Sequence, residues 1–291
     1  MNPEIIEILP ENKTLVNEYL NFIQWVFPGA KFLEWWEKGF WTNDYKPFTI
    51  LESGKIISNV TAALMDVIIE GQSYKAVQIG AVGTIPEYRN QGLSRILMEY
   101  VLQEYEDKID LFLLFANESV LEFYPKFGFR KLKEKIFLLD SPIPEVKFSA
   151  RKLNLQVSKD YRILLDLINQ RNDITRIFGA ENYGSITMWH VFNNLKNNLY
   201  YLEEEDAIII KTEKRNEMFI REIIFREPFE VLPALSKIIE SDRIEKIYYY
   251  FPPDQIRFPY NKETVYKSHL FVKSKMDFDN DMLKFPETAQ T

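Results

Sequence analysis

Residues 79–95, IGAVGTIPEYRNQGLSR, bring together groups that could hold a phosphate. The apolar run 77–85 reads as a buried strand. Pro86 stops it, because proline has no N–H to give to a ladder. Arg89-Asn90-Gln91-Gly92-Leu93-Ser94 then leads into a helical pattern, Ile96, Leu97, Tyr100, Val101 and Tyr105. A strand, a tight turn and a helix N-terminus make an anion-binding site. The first backbone N–H groups of a helix have no intrahelical partner, and its dipole favours negative charge there. Arg89 and Arg95 add positive charge. Gly92, lacking a Cβ, lets the backbone approach a phosphate closely.

The same residues fit a family pattern. Arg89-x-x-Gly92-x-Ser94 after a strand resembles the coenzyme A pyrophosphate loop, Arg-x-x-Gly-x-(Gly/Ala), of the GCN5-related (GNAT) N-acetyltransferases. The lead-in, Val82-Gly83-Thr84-Ile85-Pro86-Glu87-Tyr88-Arg89, is similar to that family's V-x-P-x-Y-R. Further on, Asn117-Glu118-Ser119-Val120-Leu121-Glu122-Phe123-Tyr124-Pro125-Lys126-Phe127-Gly128-Phe129 is similar to its second signature, N-x-x-A-x-x-F-Y-x-K-x-G-F. The departures are Ser94 for the second small residue and Val120 for alanine. A serine N–H can still donate to phosphate.

The resemblance implies roles for residues in acyl transfer from acetyl-CoA to an amine. That reaction must deprotonate the amine, polarise the thioester carbonyl, protonate the leaving thiolate and orient both reactants. The Val82 N–H is expected near the acetyl carbonyl, with Gly83 and Thr84 along the pantetheine arm. Arg89, Asn90, Gln91, Gly92, Leu93, Ser94 and Arg95 are expected on the pyrophosphate. Asn117 either bonds the pantetheine or caps its own helix. Tyr124 is the candidate general acid, since a phenol stays protonated at neutral pH and can donate to a thiolate. The general base is missing from its usual place. Many family members carry a glutamate on the strand where this chain has Gln78, and an amide cannot take a proton. Asp66 and Glu70 on the adjacent strand are alternatives. The resemblance adds a third, because some tandem acetyltransferase-like enzymes use their own C-terminal carboxylate, here that of Thr291. The apolar pair Phe285-Pro286 would anchor such a tail.

Elements that must position these groups are legible in order. A strand at 5–9 precedes a helix capped by Asn12 or Thr14, then a second helix at 32–40. Strands at 48–52 and 55–69 are joined by a Ser53-Gly54 turn, and a Glu70-Gly71-Gln72 turn leads into the long strand whose apolar run is 77–85. A helix over 93–106, a strand at 111–115, a helix from 117 and a strand at 131–139 complete the first half. Trp35, Trp36 and Trp41, on and beside the second helix, are the candidate acceptor wall, able to meet a cation through their rings.

The order repeats after residue 150. Strands are expected at 153–156, 199–202, 207–212, 218–225, 247–251 and 265–272, and helices at 161–169, 186–195 and 229–239. The chemistry does not repeat. Eight of the ten glycines precede residue 150, and Arg221-Glu222-Ile223-Ile224-Phe225-Arg226-Glu227-Pro228 stands where the phosphate loop would be. Two glutamates there would repel phosphate. The expected class is α+β. It is a GNAT acyl-CoA N-acyltransferase fold, with a mixed, mostly antiparallel central sheet flanked by helices, followed by a second, degenerate domain of the same kind. The expected boundaries are a catalytic domain over 1–140, a linker over 141–150 and the second domain with its tail over 151–291. This tandem resembles the enhanced-intracellular-survival acetyltransferases without their third domain.

Composition narrows the partners. With no cysteine there is no thiol nucleophile to carry an acyl intermediate and no thiolate metal site, and two histidines are too few for an imidazole cluster. No metal is expected. A net charge of −7 argues against nucleic acid, and the first 150 residues hold 15 Lys/Arg against 21 Asp/Glu, a balance that suits a cationic amine. The proline-broken, acidic start does not read as a signal peptide, and no apolar run approaches the roughly 18 residues of a membrane span. A cytoplasmic enzyme is expected, with acetyl-CoA as co-substrate and a small-molecule or peptide amine as acceptor, attacked directly in a ternary complex. A homo-oligomer is compatible with it. The competing reading is a non-catalytic acyl-CoA sensor or partner-binding protein, which the missing glutamate favours.

Overall fold

The computed structural model of the chain describes residues 3–140, 147–240, 244–256, 259–276 and 283–291, so most of the expected linker lies outside the described residues. Strand β1 (Ile5–Glu7) precedes helix α1 (Lys13–Val26). The Asn12 side chain caps α1 by accepting the Leu15 N–H at 3.2 Å, and Val16, Tyr19, Phe22 and Ile23 are buried at helical spacing. Helix α2 (Leu33–Glu37) is one turn long. Then β2 (Tyr45–Glu52), β3 (Lys55–Ile69) and β4 (Gln72–Thr84) form an antiparallel meander. Ser53-Gly54 and Glu70-Gly71 join these strands, all four residues with positive φ, which is what two-residue hairpin turns of the right twist require. Helix α3 (Leu93–Tyr105) crosses back, and β5 (Leu111–Phe115) lies parallel to β4.

Next come β6 (Arg130–Lys131), β7 (Glu134–Asp140), β8 (Arg151–Lys152), α4 (Ser158–Gln170), β9 (Phe178–Glu181) and α5 (Gly184–His190). A π-helical turn, Val191–Leu195, extends α5. Strands β10 (Leu199–Leu202), β11 (Ala207–Lys214) and β12 (Glu217–Phe225) form a second meander, followed by α6 (Val231–Ile238), β13 (Lys246–Tyr249), β14 (Lys262–Tyr266) and β15 (Leu270–Ser274). No helix among the described residues is long and apolar enough to cross a membrane.

Two sheets result. The first runs β1-β2-β3-β4-β5-β15-β6, with β9 on the far half of β3; the second runs β14-β7-β13-β12-β11-β10-β8. The second sheet repeats the first: a meander, a helix, and a strand parallel to the last meander strand, β13 on β12. This is the expected mixed, mostly antiparallel sheet flanked by helices, followed by a second arrangement of the same kind.

The strands do not respect the sequence midpoint. The strand expected to close the first half, β7, sits between β13 and β14 in the second sheet, while β15 slots between β5 and β6 in the first. Each exchanged strand buries its apolar residues in the other half's core: Phe137 there, and Leu270, Phe271 and Val272 here. Alternation identifies a strand but not its partner. The single strand expected at 265–272 is therefore two, parted at Lys267-Ser268-His269 and belonging to different sheets. Two further differences concern local structure. Residues 153–156 are not a strand, β8 being 151–152 alone; and the expected helix from 117 is two separate 3-10 turns, Glu118–Val120 and Tyr124–Phe127, divided by Leu121 to Phe123. Pro125 in that segment has no N–H to extend an α-helix.

Candidate active site

Strands β4 and β5 pair only from Ala76↔Leu111 to Ile79↔Leu114, and β4 then runs on to Thr84 paired with β3 but free of β5. The free stretch is irregular. Asn59 faces Gly83 and Thr61 faces Gly80, so Ala81 and Val82 together oppose Val60, a β-bulge. Ala81 has φ 47°, a left-handed conformation that costs an alanine about 1–2 kcal/mol. The Asn59 side chain holds it, donating to the Ala81 carbonyl at 2.8 Å. Strain fixed in this way, beside a strand that has parted from its neighbour, marks a place where backbone is re-aimed.

The phosphate loop follows directly. Asn90 and Gly92 have φ 63° and 80°, and Gly92 is the N-cap of α3 with no side-chain cap, which leaves the first N–H groups of the helix for a ligand. An added Cβ on Gly92 would meet nothing within 4 Å, so the turn opens outward. Ser94 fits in place of glycine because its hydroxyl turns back to Thr84 Oγ1 at 2.8 Å, which in turn meets Ser58 Oγ at 2.8 Å. Arg89 Nε donates to the Thr84 carbonyl at 3.2 Å; Arg95 lies 3.7 Å from Glu99. Leu93 packs on the core.

A cavity of about 220 Å³ opens beside the bulge. It is lined by Ile79, Gly80, Ala81 and Val82 of β4, Phe115 at the end of β5, Asn117, Tyr124 and Thr291, with aromatic groups from α1, α2 and α5. Of the residues singled out in the sequence, Val82, Asn117, Tyr124, Thr291 and Trp35 meet here. Tyr124 is 5% exposed among Phe123, Phe129 and Phe271, and burial pushes its phenol up to about 12. It therefore keeps its proton throughout the physiological range. Asn117 makes no capping bond with its side chain, so the capping alternative has no support here.

Other expectations fall elsewhere. Asp66 faces a neighbouring cavity and is ion-paired with Lys75 at 2.7 Å across the β3–β4 pair. Trp41 is 3% exposed and donates to the Tyr45 carbonyl at 2.9 Å, so it is a core ring; Trp36 bonds the Pro10 carbonyl at 2.9 Å. Neither lines the cavity. Gly83 is in contact with α1: a Cβ there would lie 2.6 Å from Val26. Trp189 and Ile186, from α5 in the second half, do line it and carry no sequence signal.

Residues 283–291 thread between the sheets with Leu283, Phe285 and Ala289 buried. Buried polar groups hold them at each step. Glu134, on exchanged strand β7, accepts the Phe285 N–H at 2.7 Å and pairs with Lys284 at 3.2 Å, both side chains fully buried. Arg221 pairs with Glu287 at 2.7 Å. Glu222 accepts the Thr288 hydroxyl and that of Tyr183, the latter at 2.9 Å, while Arg171 stacks 3.5 Å from the Tyr183 ring. Burial raises the Glu222 pKa, opposed by the Arg171 charge. His190 Nε2 donates to the Gln290 carbonyl at 2.8 Å, since a carbonyl oxygen only accepts, and burial lowers the pKa of the ring. Gln78 closes the series: its Nε2 donates to the Ala289 carbonyl at 2.9 Å and its Oε1 accepts both the N–H and, at 3.0 Å, the hydroxyl of Thr291. The amide that cannot serve as a base thus holds Thr291 in the cavity.

Residues 10–132 match the family model of the acetyltransferase (GNAT) domain. No curated protein matches the chain. Among solved structures, the fold is similar to a conserved protein of unknown function from Enterococcus faecalis V583 described as a probable N-acyltransferase. That likeness is 16% in identity, covers 94% of this chain and 72% of that one, and has a TM-score of 0.64. It is also similar to a GCN5-related N-acetyltransferase from Kribbella flavida (13%, 94% and 71%, 0.60) and to Eis1 from Mycobacterium abscessus (10%, 93% and 73%, 0.58). At these identities the likeness is one of fold, and it spans both sheets.

Proposed function

We propose that this chain, whose residues 10–132 match the acetyltransferase (GNAT) domain, transfers an acetyl group from acetyl-CoA to a primary amine by direct attack in a ternary complex. The carrying observation is that Val82 at the bulge, Asn117, Tyr124 and Thr291 line one cavity at the parting of β4 and β5. In this reading the uncapped start of α3, with Gly92, Ser94 and the two arginines, holds the coenzyme's pyrophosphate. The Thr291 carboxylate takes a proton from the acceptor ammonium. The Val82 N–H donates to the carbonyl oxygen while the amine nitrogen bonds to its carbon. As the carbon–sulfur bond breaks, Tyr124 gives its proton to the sulfur and recovers one from the new amide nitrogen by way of solvent. The balance is an ammonium and a thioester giving an amide, a thiol and one proton.

The test has two stages. A ligand at 100 times its dissociation constant stabilises the folded state by about 2.7 kcal/mol, roughly 5–10 °C in Tm for a chain of this size. Acetyl-CoA should raise Tm in the wild type and not in Gly92→Glu, which strains a left-handed position and sets a carboxylate on the loop. Thiol release with an amine panel should then require Thr291 to end the folded chain, so a Gly-Gly extension should abolish turnover and spare the Tm rise. No Tm rise at millimolar acetyl-CoA overturns the coenzyme reading. A rise without turnover on any amine leaves an acyl-CoA sensor instead.

A further inference from the structure

The acceptor half of the cavity is built of rings and aliphatic groups: Phe27, Phe32, Trp35, Tyr45, Ile186 and Trp189. Its polar atoms are engaged except for one donor, the Trp189 indole N–H, which is buried without a partner among the described residues. Trp35 Nε1 donates to the Ser185 carbonyl at 2.8 Å, and the Tyr45 hydroxyl meets that of Tyr19 at 2.7 Å. No Asp, Glu, Lys or Arg side chain is among the residues lining this cavity. The side-chain carboxylates of Asp44, Asp66 and Glu181 line the neighbouring cavity, and Trp35, Tyr45 and Ile186 form the wall common to the two. Two of these carboxylates are already engaged there, Asp66 by Lys75 and Glu181 by the Ser73 hydroxyl at 2.7 Å.

Such a wall selects its guest. Apolar surface is favoured in proportion to its area, and rings can face one ammonium through their π-clouds. A second or third ammonium on the same guest would be desolvated with no partner, which is strongly disfavoured. The whole cavity, shared by acetyl group and acceptor, is about 220 Å³ against the ~150 Å³ of an apolar engineered cavity that takes up benzene, so the acceptor must be compact.

Resting on the acetyl-transfer reading above, we propose that the acceptor is a primary amine carried on one compact apolar body, an arylalkyl or short alkyl amine, and not a polycationic amine. The acidic balance of the chain steers cations toward it, but the wall decides which of them is acetylated.

The experiment compares 2-phenylethylamine and n-hexylamine with spermidine and kanamycin. Thiol release at saturating acetyl-CoA gives kcat/KM, and quenching of tryptophan fluorescence gives binding without acetyl-CoA, Trp35 and Trp189 being the reporters. The expected result is a kcat/KM at least 100-fold higher for 2-phenylethylamine than for spermidine, with quenching by the apolar amines alone. Ile186→Glu, which puts a carboxylate on the common wall, should narrow that ratio at least 10-fold. Preference for spermidine or kanamycin overturns the inference and leaves acetyl transfer standing. So does a protein that binds acetyl-CoA but neither binds nor acetylates 2-phenylethylamine. Quenching by the apolar amines in a protein that does not bind acetyl-CoA supports the character of the pocket and overturns the transfer reading.

Discussion

Replacing Gly80 by alanine tests the position of Thr291 without altering any charge. The φ of Gly80 is outside the left-handed region, so alanine suffers no backbone penalty there. Its Cβ would lie 2.8 Å from Thr291 Oγ1, 3.3 Å from Thr291 Cβ and 3.6 Å from the Thr291 carbonyl carbon. Rotating the threonine about χ1 does not resolve the clash, because Cβ is also crowded and Oγ1 would leave Gln78. Restoring an ordinary contact of 3.4 Å requires Oγ1 to move by about 0.6 Å. A misplacement of ~1 Å in a catalytic group can cost about 100-fold. Gly80→Ala is therefore expected to lower kcat by about 10- to 100-fold, while Tm falls by no more than a few degrees. Thr291→Ala deletes the crowded oxygen and keeps the backbone carboxyl, so alone it should change kcat only a few-fold. The double variant should recover most of what Gly80→Ala loses, a coupling that a double-mutant cycle measures directly. Thiol-release kinetics and thermal melts on all four proteins suffice. Wild-type kcat in Gly80→Ala, or a double variant no better than the single, refutes the assignment of Thr291.

Tyr124→Phe should reduce kcat by ~10²–10⁴-fold with acetyl-CoA binding retained in a thermal melt, the usual contribution of a positioned acid; because the buried phenol titrates at about 12, the wild-type rate should show no loss near pH 10 that is traceable to this residue. Gln78→Leu leaves the Ala289 carbonyl and the Thr291 N–H unpaired, at about 1–3 kcal/mol for each buried group; carboxypeptidase should then trim the tail faster than in the wild type, and kcat should fall with it. Tyr19 and Tyr124 are both raised to about 12 by burial, against 10.0 for a free phenol. Their contribution to stability is complete below pH 10 and lost as pH rises toward 12, so urea midpoints should be flat up to about pH 9.5 and drop above it.

The elements were legible where local pattern determines them. Lys55–Ile69 and the hairpin turns carry their own signals, and Gly92 announces the start of α3. Pairing was not legible, because it is settled by residues far apart. Nothing in Glu134–Asp140 says that it lies beside Lys246–Tyr249 and not in the sheet of its own half. The bulge escaped because Ala81 gives no sign of a left-handed residue, as a glycine there would. The departure at Gln78 was visible but readable only as a loss. Its use as a clamp appears once residues 289–291 are seen against it, 211 to 213 positions away along the chain.

That clamp gives the second half a reason to exist. Its own parallel pair, β12 with β13, ends at Ile220↔Tyr249, and β12 continues to Phe225 paired only with β11, as β4 beyond β5 is paired only with β3. In the first sheet the corresponding opening leads to the cavity. In the second, Arg221 and Glu222 stand on the stretch that β13 has left, still paired to β11 on its other side, and bind Glu287 and Thr288, so the tail occupies the opening that corresponds to the cavity of the first sheet. Buried charged groups such as Glu222 with Arg171, and Glu134 with Lys284, are poor investments for stability alone, since apolar residues of similar volume often serve as well or better. They do define a single path. Each bonds one step of a tail that has few apolar side chains of its own, and together they bring Thr291 to within a hydrogen bond of the strand position where the family carries its glutamate. On the acetyl-transfer reading, a first half with an amide at Gln78 and a second half whose opening holds the tail are thus two sides of one arrangement.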